Sequence, residues 1–307
     1  MGANIARELK KISERCGSLF IEKQKLGLCS TIGIGGIAEA FYVPLSDKEL
    51  EESLRLLTSG DKKFFIAGNG SNILFPDEGF RGVVIKLGEN SVSWASQGKT
   101  VTVSSGVKLS RLLRECMHRG LSGLEGMAGI PASVGGALKN NAFSYSGSIT
   151  GVLDKIFVLD DSFEKRWIEK REIDTDYRSV SWKGGGTILK AVFTFKETSP
   201  KNVKESVRSF LLEKFKKQPC DKKTLGCVFK NPKVSNVTAW ELIDGAGMRG
   251  KRTGGAVVSE RHANFIINEG GATSEDVKKL IAEIKSRVEK LSGVRLEEEI
   301  EIINPLR

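Results

Sequence analysis

Two glycine-rich segments about sixty residues apart, AGNGSNILF (Ala67–Phe75) and AGIPASVGGALKNNA (Ala128–Ala142), carry residue types suited to holding an extended phosphorylated molecule. Gly68 and Gly70 follow the apolar run Phe64–Ala67, which reads as a buried strand, and they let successive backbone N–H groups turn toward an anion. Ile73–Phe75 is apolar and Pro76 follows, so no helix is expected to open there. The pattern thus differs from the GxGxxG fingerprint that starts a helix and from the GxxxxGK[ST] phosphate loop. Either segment alone reads equally well as a tight turn. Together they favour a dinucleotide held by loop amides from both.

Other chemistry is sparse. The five cysteines (Cys16, Cys29, Cys116, Cys220, Cys227) are scattered without a CxxC, and only two histidines are present, so neither a disulfide framework nor a metal site is indicated. Basic residues cluster at Lys214–Lys217, Lys222–Lys223 and Arg249–Arg252, within a formal charge of +10. That balance can steer a small anionic substrate as well as a nucleic acid. With 7% aromatic residues and no nucleic-acid-binding motif, the anionic small molecule is the better reading.

The elements that must position these residues follow from periodicity. Met1–Cys16 places Ile5, Leu9 and Ile12 at helical spacing amid charges, unlike a signal-peptide core, and no apolar run reaches the roughly 20 residues that span a bilayer. A soluble, cytoplasmic protein without membrane insertion is expected. Ala38–Val43 reads as a strand, Leu45–Leu57 as a helix with Ser46 and Glu49 in capping-box spacing, and Phe64–Ala67 as the next strand. Val83–Leu87, Val101–Val103, Ile156–Asp160 and Ile188–Phe195 read as strands, interrupted by a helix near Leu109–Met117 and by the second glycine segment. A helix over Val203–Lys217, with Val203, Val207, Phe210 and Leu211 on one face, is expected to open a third domain. Its last helix is capped by Thr273 and stopped by Gly293, and a strand over Arg295–Ile303 follows. The 307 residues allow two or three domains, read here as 1–88, 89–200 and 201–307.

These residues define a cofactor site and an anion-attracting surface, but no reaction. From Thr31 to Ile303 the chain resembles the UDP-N-acetylenolpyruvoylglucosamine reductases, through TIGIGGIAEA, AGNGSNIL, GLSGLEGMAGIPASVGGALKNNA, YRSVSW, GCVFKNP, GGAVVSERHANFIIN and LEEEIEII, in family order. The resemblance implies an α+β protein: a two-lobed FAD-binding region of the PCMH/vanillyl-alcohol-oxidase-like type and a C-terminal α/β substrate-binding domain. It implies non-covalent FAD, NADPH as hydride donor, and reduction of UDP-N-acetylglucosamine enolpyruvate to UDP-N-acetylmuramate for peptidoglycan synthesis. FAD contacts are implied for Gly68, Asn69, Gly70, Ser71, Asn72, Ile130, Pro131, Ser133, Val134, Gly135, Gly136, Asn141 and Ala142.

Hydride addition to an enolpyruvyl group leaves an enolate, which needs cationic and hydrogen-bonding stabilisation and a proton. The resemblance assigns these roles to Arg178, Glu299 and Cys227, and substrate contacts to Tyr145, Lys217, Lys230, Asn231 and His262. A guanidinium fork suits a carboxylate. Spacing alone reads Arg178 as a surface arginine, Cys227 as a small buried thiol and, by period two, Glu299 as solvated. Cys227 stands where the family usually has serine; a thiol, with a reference pKa near 8.5, is the better proton donor. Asn140, Phe143, Ser144 and Ser146 also depart from the family pattern. The short Lys183–Gly186 connection implies the family type without an extra substrate-covering loop. The competing readings are an FAD-dependent oxidase or dehydrogenase of the same fold, and a non-catalytic nucleotide- or nucleic-acid-binding protein.

Overall fold

The computed structural model describes residues 2–89, 92–95, 98–145, 147–233 and 237–304; Ser146 lies outside them. The chain divides into two compact units, one of residues 1–22, 40–69 and 82–212, the other of residues 23–39, 70–81 and 213–307. The architecture is α+β.

In the first unit, helix α1 (Gly2–Cys16) buries Ile5, Leu9 and Ile12 at the spacing that the sequence predicts. Ile5 and Leu9 join Tyr42, Leu54, Leu57 and Ile85 in one apolar core. Helix α2 (Asp47–Ser59) starts where Ser46 Oγ accepts the Glu49 N–H at 3.1 Å. The Glu49 carboxylate, however, turns inward and accepts from Leu45 N (2.8 Å) and Tyr42 Oη (2.5 Å). Satisfying a buried carboxylate outweighs closing a capping box, because an unpaired charge there costs far more than one exposed amide.

Phe64–Ala67 pairs in parallel with Val83–Lys86, as a β-α-β unit requires. A five-stranded antiparallel sheet runs in the order Lys165–Glu169, Leu153–Leu159, Thr187–Thr194, Thr100–Ser104, Val92–Trp94. Helix α3 (Leu109–Arg119) covers it with Leu109, Leu112, Leu113 and Cys116, and ends on Gly120 at φ +70°. The second glycine segment is not the loop expected from its composition. Ser133 Oγ accepts the Gly136 N–H at 3.2 Å and starts a short helix, α4 (Val134–Lys139). Helix α5 (Pro200–Lys217) buries Val203 and Val207 in this unit's core, and the two compact units divide within the helix, after Leu212.

The second unit holds an antiparallel sheet ordered Lys223–Cys227, Phe265–Asn268, Ala256–Val258, Arg252–Thr253. Helices α6 (Ala239–Gly245) and α7 (Ser274–Ser292) pack on its core through Ile243, Val277, Leu280, Ile281, Ile284 and Val288. Thr273 caps α7 and Gly293 ends it in the left-handed conformation. Asp77 reinforces that cap, its carboxylate accepting from Ser274 N (2.9 Å) and Ser274 Oγ (2.8 Å). The expected strand over Arg295–Ile303 is only Glu301–Ile302, parallel to Ile73–Leu74. Its earlier part forms a lone bridge from Glu298 to Phe229 instead, so the segment changes partners and cannot keep one period-two face. Among the described residues, no helix is long and apolar enough to cross a membrane.

Candidate active site

Glycine brings the two glycine segments together. A Cβ on Gly68 would sit 2.5 Å from Ser133 Oγ and 3.8 Å from the Gly136 Cα, and the Asn69 side-chain amide donates to Pro131 O at 2.7 Å. The N–H groups of Asn69, Gly70 and Ser71 make no hydrogen bond among the described residues, which leaves a run of amides open to an anion.

The second segment does not offer the same. Val134 N donates to Val107 O (2.8 Å), Gly135 N to Ser105 O (2.7 Å) and Gly136 N to the Ser133 cap. A cradle of amides from both segments is therefore corrected: these three amides hold α4 in place, and the second segment contributes small residues at a close approach. Gly70, at φ +65°, is required by its own fold, because a Cβ there would lie 2.0 Å from Cys29 O.

Asn141 and Arg178 meet at a hairpin. Strands Ile173–Asp176 and Ser179–Trp182 pair with Asp176 opposite Ser179, leaving Tyr177 and Arg178 as the turn. Arg178 has φ +59°, an uncommon conformation for a non-glycine residue that marks a two-residue hairpin turn. Asn141 Nδ2 donates to Asp176 O at 3.0 Å, and Arg178 Nη1 lies 3.5 Å from Phe143 O, so the hairpin rests on the end of the second glycine segment. Tyr145 is exposed and stacks on Phe210 with ring centroids 5.5 Å apart. The following connection is closed by three successive glycines at positive φ, Gly184–Gly186, with Trp182 Nε1 donating to Gly185 O at 2.6 Å.

In the second unit Cys227 ends a strand broken by a bulge, with Gly226 at φ +81° and open space around its missing Cβ. Conformation, not crowding, demands this glycine, and a bulge of this kind re-aims the side chain that follows. Buried Asn264 fixes the next residues: Val228 N donates to Asn264 O (2.9 Å), Phe229 N to Asn264 Oδ1 (2.9 Å), and Asn264 Nδ2 to Phe229 O (2.8 Å). Sequence reasoning missed Asn264; an amide amid the apolar residues of HANFIIN was the available signal.

Glu299 lies beside this clamp. Its N–H donates to Val228 O at 2.7 Å, and its carbonyl accepts from Asn72 Nδ2 at 3.0 Å. Glu299 is half-buried, not fully solvated as period two predicts, because no strand runs through it. Asn72 thus positions Glu299 through its amide. Lys230 N donates to Glu297 O at 2.9 Å, and Lys230 Nζ lies 3.6 Å from the Glu297 carboxylate.

The remaining substrate candidates are spread over this unit. Asn231 Oδ1 accepts from Ala239 N (2.9 Å) at the start of α6. Lys217 is exposed and 2.6 Å from Glu213. Within the basic cluster Arg249 is forked onto Asp244, Lys251 lies 3.2 Å from Glu283 and Arg252 2.5 Å from Glu269, so carboxylates already answer these charges. His262 sits between Trp240 and Phe265, its ring centroid 4.8 Å from that of Phe265. Burial, with the nearby Arg249 charge, lowers its pKa to about 4, and its buried Nδ1 has no hydrogen-bond partner among the described residues. It is a neutral imidazole with one unused ring nitrogen, not a cation.

Comparison with known proteins gives this arrangement its context. Residues 38–158 match a family described as FAD binding domain, and residues 218–303 one described as UDP-N-acetylenolpyruvoylglucosamine reductase, C-terminal domain. The reductase of that name from Syntrophotalea carbinolica is 41% identical over 88% of this chain and 89% of its own. That of Bacillus subtilis is 33% identical over 96% of this chain and 97% of its own. The crystal structure of the Thermus caldophilus enzyme aligns with a TM-score of 0.78 at 31% identity, covering 94% of this chain and 99% of the other. A berberine bridge enzyme variant aligns at a TM-score of 0.50 and 15% identity over 62% of this chain and 44% of its own, which shows a shared fold alone. The chain belongs to the UDP-N-acetylenolpyruvoylglucosamine reductase family.

Proposed function

We infer that this protein reduces the enolpyruvyl ether of UDP-N-acetylglucosamine enolpyruvate to the lactyl ether of UDP-N-acetylmuramate, a step of peptidoglycan precursor synthesis. FAD is its cofactor and NADPH the donor. The residues suit a pyrophosphate-bearing dinucleotide: open amides at Asn69–Ser71 offer donors, and Gly68 lets the two glycine segments close to a distance that a side chain would forbid. The two glycine segments would hold FAD, which would supply hydride chemistry there, with NADPH as the source and the terminal carbon of the enolpyruvyl group as the destination. We keep the division 1–88 and 89–200 for FAD and 201–307 for the substrate, and place the enzyme in the cytoplasm.

The chain's own residues then meet the charge that this addition creates. Arg178 pairs with the substrate carboxylate, where a guanidinium fork stabilises the enolate delocalised into it. Glu299 assists in its protonated form. Cys227 gives its Sγ proton to the carbon beside the carboxylate; the S–H bond breaks, the new C–H bond forms, and the electron pair stays on sulfur. Lys217 and Lys230 attract the diphosphate, Asn231 and neutral His262 offer hydrogen bonds, and Tyr145 borders the flavin and the substrate.

The observation that carries the assignment of roles is the pairing of segments at Val228 and Glu299, which places the backbone of the acid one hydrogen bond from the residue after the thiol. The test is anaerobic mixing. NADPH should bleach the flavin, and the enolpyruvyl UDP-sugar should recolour it. Cys227→Ala should bleach normally but recolour on the order of 10²–10⁴ slower, with partial recovery in Cys227→Ser. Wild-type recolouring in the alanine variant would remove Cys227 from the reaction.

A further inference from the structure

Trp240, the second residue of α6, keeps 36% of its surface, yet its indole is firmly placed. The start of the helix is fixed from two sides: Asn231 Oδ1 accepts from Ala239 N at 2.9 Å, and Thr238 N donates to the Glu241 carboxylate at 2.8 Å. The indole meets the His262 ring at 6.0 Å between centroids, tilted by 50°. His262 in turn stands edge-on to buried Phe265 at 4.8 Å. Three rings thus run from the core of the second unit to its surface, and Trp240 is the exposed end.

This cluster offers an aromatic surface and little free charge. The Arg249 guanidinium lies 6.0 Å from the indole centroid, the outer limit of a cation–π contact, but it is forked onto Asp244 and donates to Glu260 O at 2.5 Å. Its charge is already matched. His262 adds none at neutral pH, because burial, with the nearby Arg249, lowers its pKa to about 4. A phosphate gains little from such surroundings, whereas a flat, neutral heterocycle gains from stacking.

We propose that Trp240 is a specificity-determining residue for the substrate, its indole receiving the uracil base of the UDP group. This rests on the reading of the protein as a UDP-sugar reductase. Among the carboxylate, sugar, diphosphate, ribose and base of that substrate, the base alone has a π face to set against an indole. The position agrees with the polar residues assigned to the same molecule: Asn231 holds the backbone just ahead of Trp240, and His262 touches its ring. A tryptophan that merely closed the core over His262 would be replaceable by any apolar side chain of similar reach, and this separates the two roles.

The experiment is calorimetric titration of the FAD-loaded wild type, Trp240→Ala, Trp240→Leu and Trp240→Phe with UDP, and of the same proteins with inorganic pyrophosphate. Base–aromatic stacking of ordinary strength predicts a UDP Kd about 5- to 150-fold weaker in Trp240→Ala. Leu should be nearly as weak, Phe should recover most of the affinity, and pyrophosphate should respond alike to all four proteins. The KM for the enolpyruvyl UDP-sugar should rise in Trp240→Ala far more than kcat falls, since the base is not the reacting group. Wild-type UDP affinity in Trp240→Ala overturns the proposal. So does an equal loss for UDP and pyrophosphate, which would make Trp240 a support for His262. If the alanine variant does not fold, equal UDP affinity in the Leu and Phe variants overturns it as well. Failure of the underlying reading shows separately, as a wild-type flavin that NADPH bleaches and the enolpyruvyl UDP-sugar does not recolour.

Discussion

Replacing Gly68 with alanine tests how the two glycine segments make one site. The φ of Gly68 lies outside the left-handed region, so an alanine is tolerated by its backbone and the effect is one of space. The new methyl would lie 2.5 Å from Ser133 Oγ, well inside an ordinary contact, while the Ser133 Cβ at 3.7 Å and the Gly136 Cα at 3.8 Å are comfortable. The hydroxyl must leave. It then no longer accepts the Gly136 N–H at the start of α4, a loss of about 1 kcal/mol for a cap of this type. That should lower the apoprotein melting temperature by about 2–4 °C. Pushing the segments apart also misplaces the open amides at Asn69–Ser71, and losing one charge-assisted hydrogen bond of roughly 1.5–3 kcal/mol weakens FAD binding about 10- to 100-fold. The assay is fluorescence titration of apoprotein with FAD for Gly68→Ala, Ser133→Ala and the double variant. Because only the hydroxyl is in conflict, Gly68→Ala should do little further harm once Ser133 is alanine, a coupling of about 1 kcal/mol or more. Wild-type FAD affinity in Gly68→Ala, or strictly additive effects in the double variant, would refute the reasoning.

Gly70→Val should behave differently, failing to accumulate as folded protein in soluble expression, since its Cβ meets Cys29 O at 2.0 Å and its φ is +65°; a folded variant that merely lacks FAD would count against this. Asp77→Ala removes hydrogen bonds from the first turn of α7, including those from Ser274 N and Ser274 Oγ, and should lower unfolding free energy by about 1–3 kcal/mol in urea titration, with no change pointing to water as an adequate cap. His262, with its pKa lowered to about 4 from 6.5, contributes stability that is present above pH 6.5 and lost as pH falls toward 4, up to roughly 3 kcal/mol. Urea midpoints at pH 7 and 4.5 should therefore fall more in the wild type than in His262→Gln, and equal drops would show that His262 protonates freely in the folded state. Raising salt should increase the KM for the UDP-sugar more than it lowers kcat, through screening at Lys217 and Lys230; an unchanged KM would leave those charges to solubility.

Much of the framework was legible in the residues. Helical spacing of Ile5, Leu9 and Ile12, the Ser46 and Thr273 caps, the Gly293 stop and the strand before Gly68 depend on local chain properties, and all occur as read. The seven motifs in register identified the family, because side-chain order is a property of the sequence itself. What depended on distant partners could not be read this way. Period two placed Glu299 in water, but its segment leaves Phe229 for Ile73–Leu74 within a few residues, so no single face persists. The second glycine segment promised free amides, yet Val107 O, Ser105 O and Ser133 Oγ claim those of Val134, Gly135 and Gly136. Lys214 looked like one more member of a solvated basic run. Its burial arises only when the chain after α5 folds back through Cys220 and Arg261, a closure that no local pattern encodes because the atoms that meet are separated by up to some forty residues of chain.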